Sequence, residues 1–572
     1  MSLIQIRRNY SISKIHGNIS GLKPSELHNL SRIYRRRIPP GEILTLELGR
    51  TLSQISYDLR KIITLLIDRK GQIEVVFIGD AHEVPFDKLL ERSREAKYRL
   101  RGYRLIHTHL KNPGLSHPDL ITLTNERLDL IGALEVKDGG APGKFQIAHL
   151  LPPNSDGEMW KTLDYNDLGG VDIDFQELIR NAQSELEKSY LDFGGNKEKE
   201  GVFLVGFSIE SRIEAEESLE ELKELARSAE KVVLDKTMQI RKQIDPRYLI
   251  GKGKLQEIIL KASQVGADTL IFDAELTPAQ VRGISEETNL RVMDRTELIL
   301  EIFAERATTN EGKIQVQLAQ LRYMLPRLTG RGVELSQLGG GIGTRGPGEK
   351  KLEEERRRLR ERIGQLEKQI EGLSRRREHT RKRRRETGIS TVTLIGYTSV
   401  GKSTIFNALT KSSVVVEERL FSTLNPTTRK LVLSSGKEIL LTDTVGFIRN
   451  LPKELVNAFR ATLEELGGSS ILVHVADASD VLVDEKIESV ENILKSTGYD
   501  SIPRFIVFNK IDTAPPVVTQ RLQKVYKSPL ISAFNKETFG DFIERLDSEI
   551  EKLTFYKQQE EAVSSSVREL EA

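Results

Sequence analysis

The sequence predicts an α/β protein built in series. An N-terminal α/β extension comes first, then a second α/β domain, a helical coiled-coil hairpin, and a P-loop domain with a parallel sheet. Three observations carry this. Gly396-Tyr397-Thr398-Ser399-Val400-Gly401-Lys402-Ser403 fits G-x-x-x-x-G-K-[ST], and it leads from the β-branched run 391–395 into a helical run, Ser403 to Leu409. From Gly201 onward, strand-like and helix-like segments alternate, as in a parallel sheet with helices on its faces. Between these regions Leu352, Leu359, Ile363, Leu366, Ile370 and Leu373 are spaced 7, 4, 3, 4 and 3, which is an a/d seam.

Composition bounds the rest. A chain of 572 residues is long enough for about three or four domains. The net charge of +2 says little about partners, so the distribution of charge matters more. There are no cysteines, which excludes disulfides and thiolate metal sites and suits a reducing cytosol. The first residues hold no apolar core of signal-peptide length. No run of about 18 apolar residues occurs, so no membrane span is expected.

Residues 1–195 read as a separate unit. The runs 62–67 and 73–78 flank Asp68-Arg69-Lys70-Gly71, a hairpin signal, and a helical stretch follows from about Phe86 to Arg99. Tyr103-Arg104-Leu105-Ile106 then leads into His107-Thr108-His109, with Ser116 and Asp119 shortly after. Two histidines at i and i+2 on a strand end, with an aspartate, can hold a metal with an open site. The segment resembles the metal-binding stretch of the JAB/MPN family, which includes RadC-like proteins. That family shows H-x-H, seven residues, then S-x-x-D; here the gap is six, Leu110 to Leu115. The resemblance implies an MPN-like fold and a Zn²⁺ site at His107, His109 and Asp119. In place of the family's upstream catalytic glutamate only Asp58 is near. The other reading is that the three side chains make structural hydrogen bonds in an inert copy of the fold. Around 138–170 the chain is rich in Gly, Pro, Asp and Asn, then turns helical, and 194–201 reads as a linker.

The second domain, 201–310, should hold strands at 202–207, 231–234, 269–272 and 290–293, with helices at 214–229 and 255–263. The loop Gly251-Lys252-Gly253-Lys254 either holds a phosphate or simply starts the second helix. Helices from about Arg295 to Ala307 and Lys313 to Pro326 follow. Residues 311–388 form a glycine loop and coiled-coil hairpin, the 313–326 helix pairing with the seam helix. The loop 339–349 has almost nothing to bury, so a partner must order it, and Arg345 is its charged handle. Beyond the seam, Arg375, Arg376, Arg377, Arg381, Lys382, Arg383, Arg384 and Arg385 face one glutamate, Glu378. A run so one-signed points to a phosphate backbone rather than a solvated face.

The domain 389–552 carries the remaining nucleotide signals, and 553–572 is a charged tail. Lys402 should reach β- and γ-phosphates, and Ser403 should ligate Mg²⁺. Leu440-Leu441-Thr442 leads into Asp443-Thr444-Val445-Gly446, a D-x-x-G that places a carboxylate near Mg²⁺ and a glycine N–H near the γ-phosphate. Asn509-Lys510-Ile511-Asp512 is N-K-x-D. Its last carboxylate can accept from guanine N1–H and N2–H₂, a pair that adenine lacks, so GTP is the expected substrate. Ser532-Ala533 sits where the Ala533 N–H would meet guanine O6. Phe421-Ser422-Thr423-Leu424 belongs to the expected switch I, with Thr423 chosen for Mg²⁺ and Thr427 in reserve. Phe447 stands where Ras-like enzymes use a glutamine to orient water. Slow intrinsic hydrolysis is therefore expected, accelerated by an external surface.

With these residues in view, 201–550 resembles the HflX family, bacterial GTPases associated with the large ribosomal subunit. The match lies in Tyr248 to Lys254, Gly312 to Ala319, the glycine loop with Arg345, the P-loop, and Asp443 to Arg449. The resemblance implies a cytoplasmic GTPase on the 50S subunit and its rRNA, coupling GTP hydrolysis to ribosome splitting, rescue or biogenesis. Alternatives are a metal hydrolase in 1–195 regulated by the GTPase half, ATP-linked rRNA remodelling by 201–350, and a non-catalytic RNA-binding protein. Departures are Glu349-Lys350-Lys351, where the family usually has E-T-Q, the extension itself, and a short charged end beyond 550 in place of a small C-terminal domain. A coiled coil closing within one chain makes a monomer the expectation; closure between two chains is the alternative.

Overall fold

The computed structural model describes residues 14–89, 99–111, 114–154, 157–192, 199–209, 211–328, 347–386, 389–410, 420–421, 426–448 and 466–571. They form two compact units. One comprises 1–226 with 230–294, the other 227–229 with 295–572.

The first unit opens with β1 (His16–Gly17), α1 (Pro24–Ile33) and α2 (Leu46–Leu59). Pro24 takes the first turn of α1, where its missing N–H is harmless. α2 is capped by the Thr45 side chain, which accepts from the Leu48 N–H. The expected hairpin is β2 (Ile63–Asp68) and β3 (Ile73–Ile78), antiparallel, with a register shift at Leu66/Ile67. After the single turn α3 (Phe86–Leu89), the rest of the helix expected to Arg99 lies outside the described residues up to residue 98. Then come β4 (Tyr103–His109), α4 (His117–Asn125), β5 (Leu130–Val136), β6 (Pro142–Leu150), β7 (Trp160–Tyr165) and α5 (Phe175–Asp192). The Gly/Pro-rich stretch thus contains two strands. In β6 the apolar residues Phe145, Ile147 and Ala148 are buried, so packing there overrides composition. The sheet order is β1-β3-β2-β4-β5-β6-β7, with β4 and β5 parallel. The Arg104 guanidinium is buried 4.2 Å from the centre of the Phe175 ring, and burial pulls its pKa down to about 10 against the opposing charge of Asp129.

The same unit holds β8 (Gly201–Ser208), α6 (Arg212–Ser228) up to residue 226, β9 (Val232–Ile240), α7 (Lys252–Gln264), β10 (Thr269–Phe272), α8 (Pro278–Glu287) and β11 (Arg291–Asp294). The sheet order is β11-β10-β8-β9, and every pair is parallel. Helix α8 lies outside the sequence reading, although Thr277-Pro278-Ala279-Gln280 forms a capping box with proline at the helix start. β9 runs six residues past the expected end at 234. The boundary near 195–201 falls between α5 and β8, yet both sides share one unit. The Gln264 amide donates to the Glu158 carbonyl (2.9 Å), and the Asn289 amide donates to Glu126 (2.6 Å).

The second unit begins with α9 (Arg295–Arg306), α10 (Asn310–Arg327) and the long α11 (Pro347–Glu386). α10 and α11 pair as the seam predicts. Leu366 is buried and Leu359, Ile363, Ile370 and Leu373 are half-buried, while Glu361, Gln365 and Glu367 between them are exposed. Arg322 reaches Glu367 at 2.6 Å and Arg362 reaches Gln317 at 3.2 Å across the pair. The P-loop domain follows as β12 (Ser390–Gly396), α12 (Lys402–Thr410), β13 (Thr427–Val432), β14 (Glu438–Asp443), β15 (Ile471–Asp477), α13 (Val483–Thr497), β16 (Arg504–Asn509), α14 (Pro516–Tyr526) and α15 (Gly540–Glu571). Its sheet runs β13-β14-β12-β15-β16, parallel except for β13. Helix α15 continues through 552, so the expected tail starts at no break in secondary structure. No described helix is long and apolar enough to cross a membrane.

Candidate functional site

The site grows from the C-terminal ends of the parallel strands. β12 is central, between β14 and β15. The chain leaves it at Gly396, φ +141°, where a Cβ would collide with the Val475 carbonyl oxygen. At Gly401, φ +91°, a Cβ would run into the Asn509 side-chain amide. Both glycines are therefore demanded by close approach as well as by conformation. Ser399 between them has φ +59°. Val400 and Thr398 are buried, and Thr404 is half-buried in the first turn of α12.

Lys402 is buried, and its ammonium donates to the carbonyls of Gly396 (3.1 Å) and Tyr397 (2.7 Å). Burial pulls its pKa from 10.5 down to about 8, with the Asp443 carboxylate opposing. The Ser403 hydroxyl donates to Asp443 Oδ2 at 2.7 Å. Beyond Asp443, Thr444 Oγ1 donates to the Leu394 carbonyl (2.6 Å), and Val445 is half-buried. Gly446 lies so close that a Cβ would stand 2.8 Å from Thr398 Cα and 3.0 Å from Lys402 Nζ. The Phe447 N–H donates to the Gly396 carbonyl (3.0 Å), and the Thr398 N–H donates to the Phe447 carbonyl (2.8 Å). These two main-chain bonds fasten the D-x-x-G segment to the P-loop. The Phe447 side chain itself is buried.

The Asn509 carboxamide donates to the Val400 carbonyl (2.8 Å) and accepts from the Ala533 N–H (2.9 Å). It ties the phosphate loop to the 532–533 loop. The Ala533 donor, expected to face a purine oxygen, is turned to Asn509 here because a buried N–H takes the nearest acceptor. Ser532 is fixed by its N–H to Thr538 Oγ1 (2.9 Å). Lys510, φ +64°, extends to Asp477 Oδ2 at 2.7 Å. Asp512 is exposed in the turn beyond, with no described side chain pairing with it.

On the switch side, Ser422, Thr423 and Leu424 lie outside the described residues. Thr427 begins β13 directly opposite Asp443. Phe421 is buried at φ +59°, uncommon for an aromatic residue. Its ring meets Phe303 of α9 edge-on, centroids 4.6 Å apart, and the neighbouring Leu420 N–H donates to Ser228 Oγ (3.0 Å). Sequence reasoning missed Phe303 and Ser228, since neither lies in a motif. Lys486, whose ammonium stands 5.1 Å from the centre of the P-loop Tyr397 ring, was missed for the same reason.

Among the described residues the RNA-facing candidates divide. Arg375, Arg376, Arg377, Arg381, Arg383, Arg384 and Arg385 fall on α11, their side chains outside the described part, and Arg345 lies outside the described residues. In the 251–254 loop Lys252 pairs with Glu287 (3.4 Å) and Lys254 with Glu257 (2.9 Å), as in an ordinary helix start.

In the first unit, His107 and His109 share one face of β4, and Asp119 sits in the first turn of α4. Their ligand atoms converge. The two Nε2 atoms are 2.8 Å apart, and Asp119 Oδ2 is 3.5 Å and 3.8 Å from them. The Ser116 N–H and hydroxyl both donate to that Oδ2 (2.8 and 2.7 Å), so the six-residue gap suffices to bring Asp119 in. Burial lowers the pKa of His107, with Asp119 opposing, which favours a neutral ring able to donate its lone pair. Asp58 is exposed and accepts from the Gln54 amide at 2.9 Å.

Comparison with known proteins places three families in order along the chain. They are described as GTP-binding GTPase N-terminal (216–304), GTP-binding GTPase Middle Region (306–384) and 50S ribosome-binding GTPase (391–510). The GTPase HflX of Caldanaerobacter subterraneus subsp. tengcongensis is 47% identical over 358 residues, covering 63% of this chain and 82% of that protein. The GTPase HflX of Escherichia coli K12 is 42% identical over 345 residues, covering 59% and 81%. Among solved structures, a GTP-binding protein from Sulfolobus solfataricus in complex with GDP is 26% identical, covering 62% of this chain and 99% of that one, with a TM-score of 0.33.

The buried ammonium yields a pH prediction. Without a nucleotide, the folded protein loses the Lys402 proton above about 8, whereas the unfolded chain keeps it to 10.5. Between those values the unfolded state binds more protons, so this group makes stability rise with pH there. A polyphosphate beside Nζ restores the charge. GDP binding should therefore take up protons at about pH 8.5 and little at pH 7, and Lys402→Ala should abolish the difference. Calorimetry in two buffers of different ionisation enthalpy measures it; no uptake in the wild type at the higher pH would contradict the reading.

Proposed function

The chain belongs to the HflX family of GTPases and hydrolyses GTP, and from that premise we propose that it does so as a switch on the 50S ribosomal subunit and its rRNA, coupling GTP binding and hydrolysis to ribosome splitting, rescue or biogenesis. The observation that carries this is the joining, within one compact unit, of a P-loop site to a paired helix ending in a run of arginines.

The residues take the following roles. Backbone N–H groups of 396–404 cradle the phosphates, and Lys402 exchanges its two carbonyl partners for phosphate oxygens. Ser403 Oγ and Asp443 Oδ2, hard oxygen donors 2.7 Å apart, fit Mg²⁺, and with Thr423 they would hold it. When bound, that ion neutralises charge on the phosphates. Phe421 to Leu424 and Asp443 to Gly446 are the switches. Asn509, Lys510, Asp512, Ser532 and Ala533 bind the base, Asp512 selecting guanine by its paired acceptors. Phe447 has no polar group to orient water, so the protein alone turns over slowly and rRNA contact accelerates it. Phe421 on Phe303 links switch I to α9, next to the α10–α11 pair, giving the docking surface a route to the nucleotide. Arg345 and the arginines from Arg375 to Arg385 meet the rRNA backbone. The proposed setting is the cytoplasm, and a seam that closes between α10 and α11 of one chain supports a monomer.

A second reading concerns the first unit, whose MPN-like character rests on resemblance alone. The convergence of three ligand atoms on one point favours a bound Zn²⁺ at His107, His109 and Asp119. Asp58 is exposed and taken up by the Gln54 amide, so no side chain there is assigned as a hydrolytic base, and the site is proposed as a metal holder.

Two measurements follow. Sedimentation with 50S subunits should retain wild-type protein with a non-hydrolysable GTP analogue and release it with GDP. Replacing Arg381, Arg383, Arg384 and Arg385 by glutamine should weaken retention and flatten its salt dependence by a slope of about 3 to 4. Retention independent of both nucleotide and arginines would argue against the switch. For the first unit, elemental analysis after zinc loading and dialysis should find one Zn²⁺ per chain, lost in His109→Ala with GTP turnover intact. Zinc-free wild-type protein would leave the three side chains as a hydrogen-bonded cluster.

A further inference from the structure

The roles above leave unused a cationic surface on the first unit. Arg32 lies in the last turn of α1, Arg35, Arg36 and Arg37 follow it, and Arg69 and Lys70 stand in the β2–β3 turn. Across 32–37 and 69–72 six of ten residues are cationic and none is acidic, in a chain whose 86 Lys and Arg are nearly balanced by 84 Asp and Glu. All six side chains are exposed. Arg36 pairs with Glu47, and Arg69 with Asp129 at 2.6 Å. Arg32, Arg35, Arg37 and Lys70 have no acidic partner among the described residues.

The backbone under these side chains is fixed. Ile33 and Ile38 bracket the arginine run and are buried. Between them the Tyr34 hydroxyl donates to the Lys14 carbonyl (2.9 Å) and accepts from the Val76 N–H (2.9 Å). The Arg35 N–H donates to the Arg32 carbonyl (3.1 Å) and the Arg36 N–H to the Ile33 carbonyl (3.0 Å). Arg37 then pairs antiparallel with Gln72, and the Ile38 N–H donates to the Gly71 carbonyl (3.0 Å). At Gly71, φ +80°, a Cβ would collide with the Ile38 carbonyl oxygen. The arginine run therefore lies directly against the hairpin turn, and two cationic segments distant in sequence are bonded into one platform. Like charges gathered on a fixed backbone repel one another, a cost that a polyanion removes.

We propose that this platform docks on the phosphate backbone of RNA, making residues 1–195 a second rRNA anchor beside the α11 arginines. Five of its six cations are arginines, whose planar fork matches a pair of phosphate oxygens. No large apolar side chain is exposed in 32–37 or 69–72, so the platform lacks the apolar face with which a basic surface enters lipid. For the same reason no ring is offered for base stacking, and the contact reads the backbone, indifferent to sequence and sensitive to salt. The proposal takes from the ribosomal reading only which RNA is at hand, and bare 23S rRNA tests it apart from GTP-dependent retention on 50S subunits.

The test is filter binding of the full chain to purified 23S rRNA across a range of salt, in the background where Arg381, Arg383, Arg384 and Arg385 are glutamine. Binding should persist in that background. Adding Arg32→Gln, Arg35→Gln, Arg37→Gln and Lys70→Gln should weaken it about tenfold or more at low salt and flatten its salt dependence by a slope of about 3. The charge-preserving set Arg32→Lys, Arg35→Lys and Arg37→Lys should keep the slope, and GTP turnover should be unchanged in both sets. Unchanged affinity and slope in the glutamine set would overturn the proposal, as would a lysine set whose slope fell as far as the glutamine set's. Pelleting of the wild type with phosphatidylglycerol vesicles through the same four residues, with RNA binding unmoved, would overturn it in favour of a lipid surface. Should the nucleotide-dependent 50S switch fail, the bare-RNA result still decides the platform.

Discussion

A positive charge sealed inside the P-loop governs the second unit. An ammonium out of water is tolerated only with partners, and Lys402 has two carbonyls of its own loop, with Asp443 as the opposing charge. The geometry around it follows from making room. Gly396 and Gly401 carry no side chain because strand and amide come too close, and Gly446 passes Nζ at a distance that leaves no space for a Cβ. The loop is thus preorganised around a cation that a polyphosphate would stabilise better than carbonyls do.

From that point the connections are short. The two main-chain bonds between Phe447 and the P-loop tie the D-x-x-G segment to that loop, and Asn509 ties the same loop to the turn at 532–533. Phe421, buried at positive φ with its ring against Phe303, ties residues 420–421 to α9. The proposed coupling to rRNA uses these contacts and requires no further element.

Much of this was legible in sequence, and the parts that were not have identifiable causes. The parallel sheets, the α10–α11 seam and the P-loop rest on local periodicity and short motifs, which survive folding. β6 and β7 were obscured by glycine and proline, because their stability comes from neighbours across the sheet rather than from propensity. Helix α8 had a readable start in Thr277-Pro278-Ala279-Gln280 that was overlooked. The roles of Phe303, Ser228 and Lys486 depend on contacts between residues far apart in the chain, for which one sequence carries no signal. The metal-like cluster was readable by type and spacing, while its convergence needed the capping bonds of Ser116 to be seen.

The measurement that bears most directly on the proposed switch is steady-state GTP turnover with and without purified 50S subunits, for wild type and Lys402→Ala. Slow turnover alone, strong stimulation by 50S and loss of both in the variant are the expected results, since Phe447 has no polar group for water and the proposal gives Lys402 the phosphates. Turnover that is equally fast with and without 50S would contradict it, and the true partner would then have to be sought elsewhere, first at residues 1–195.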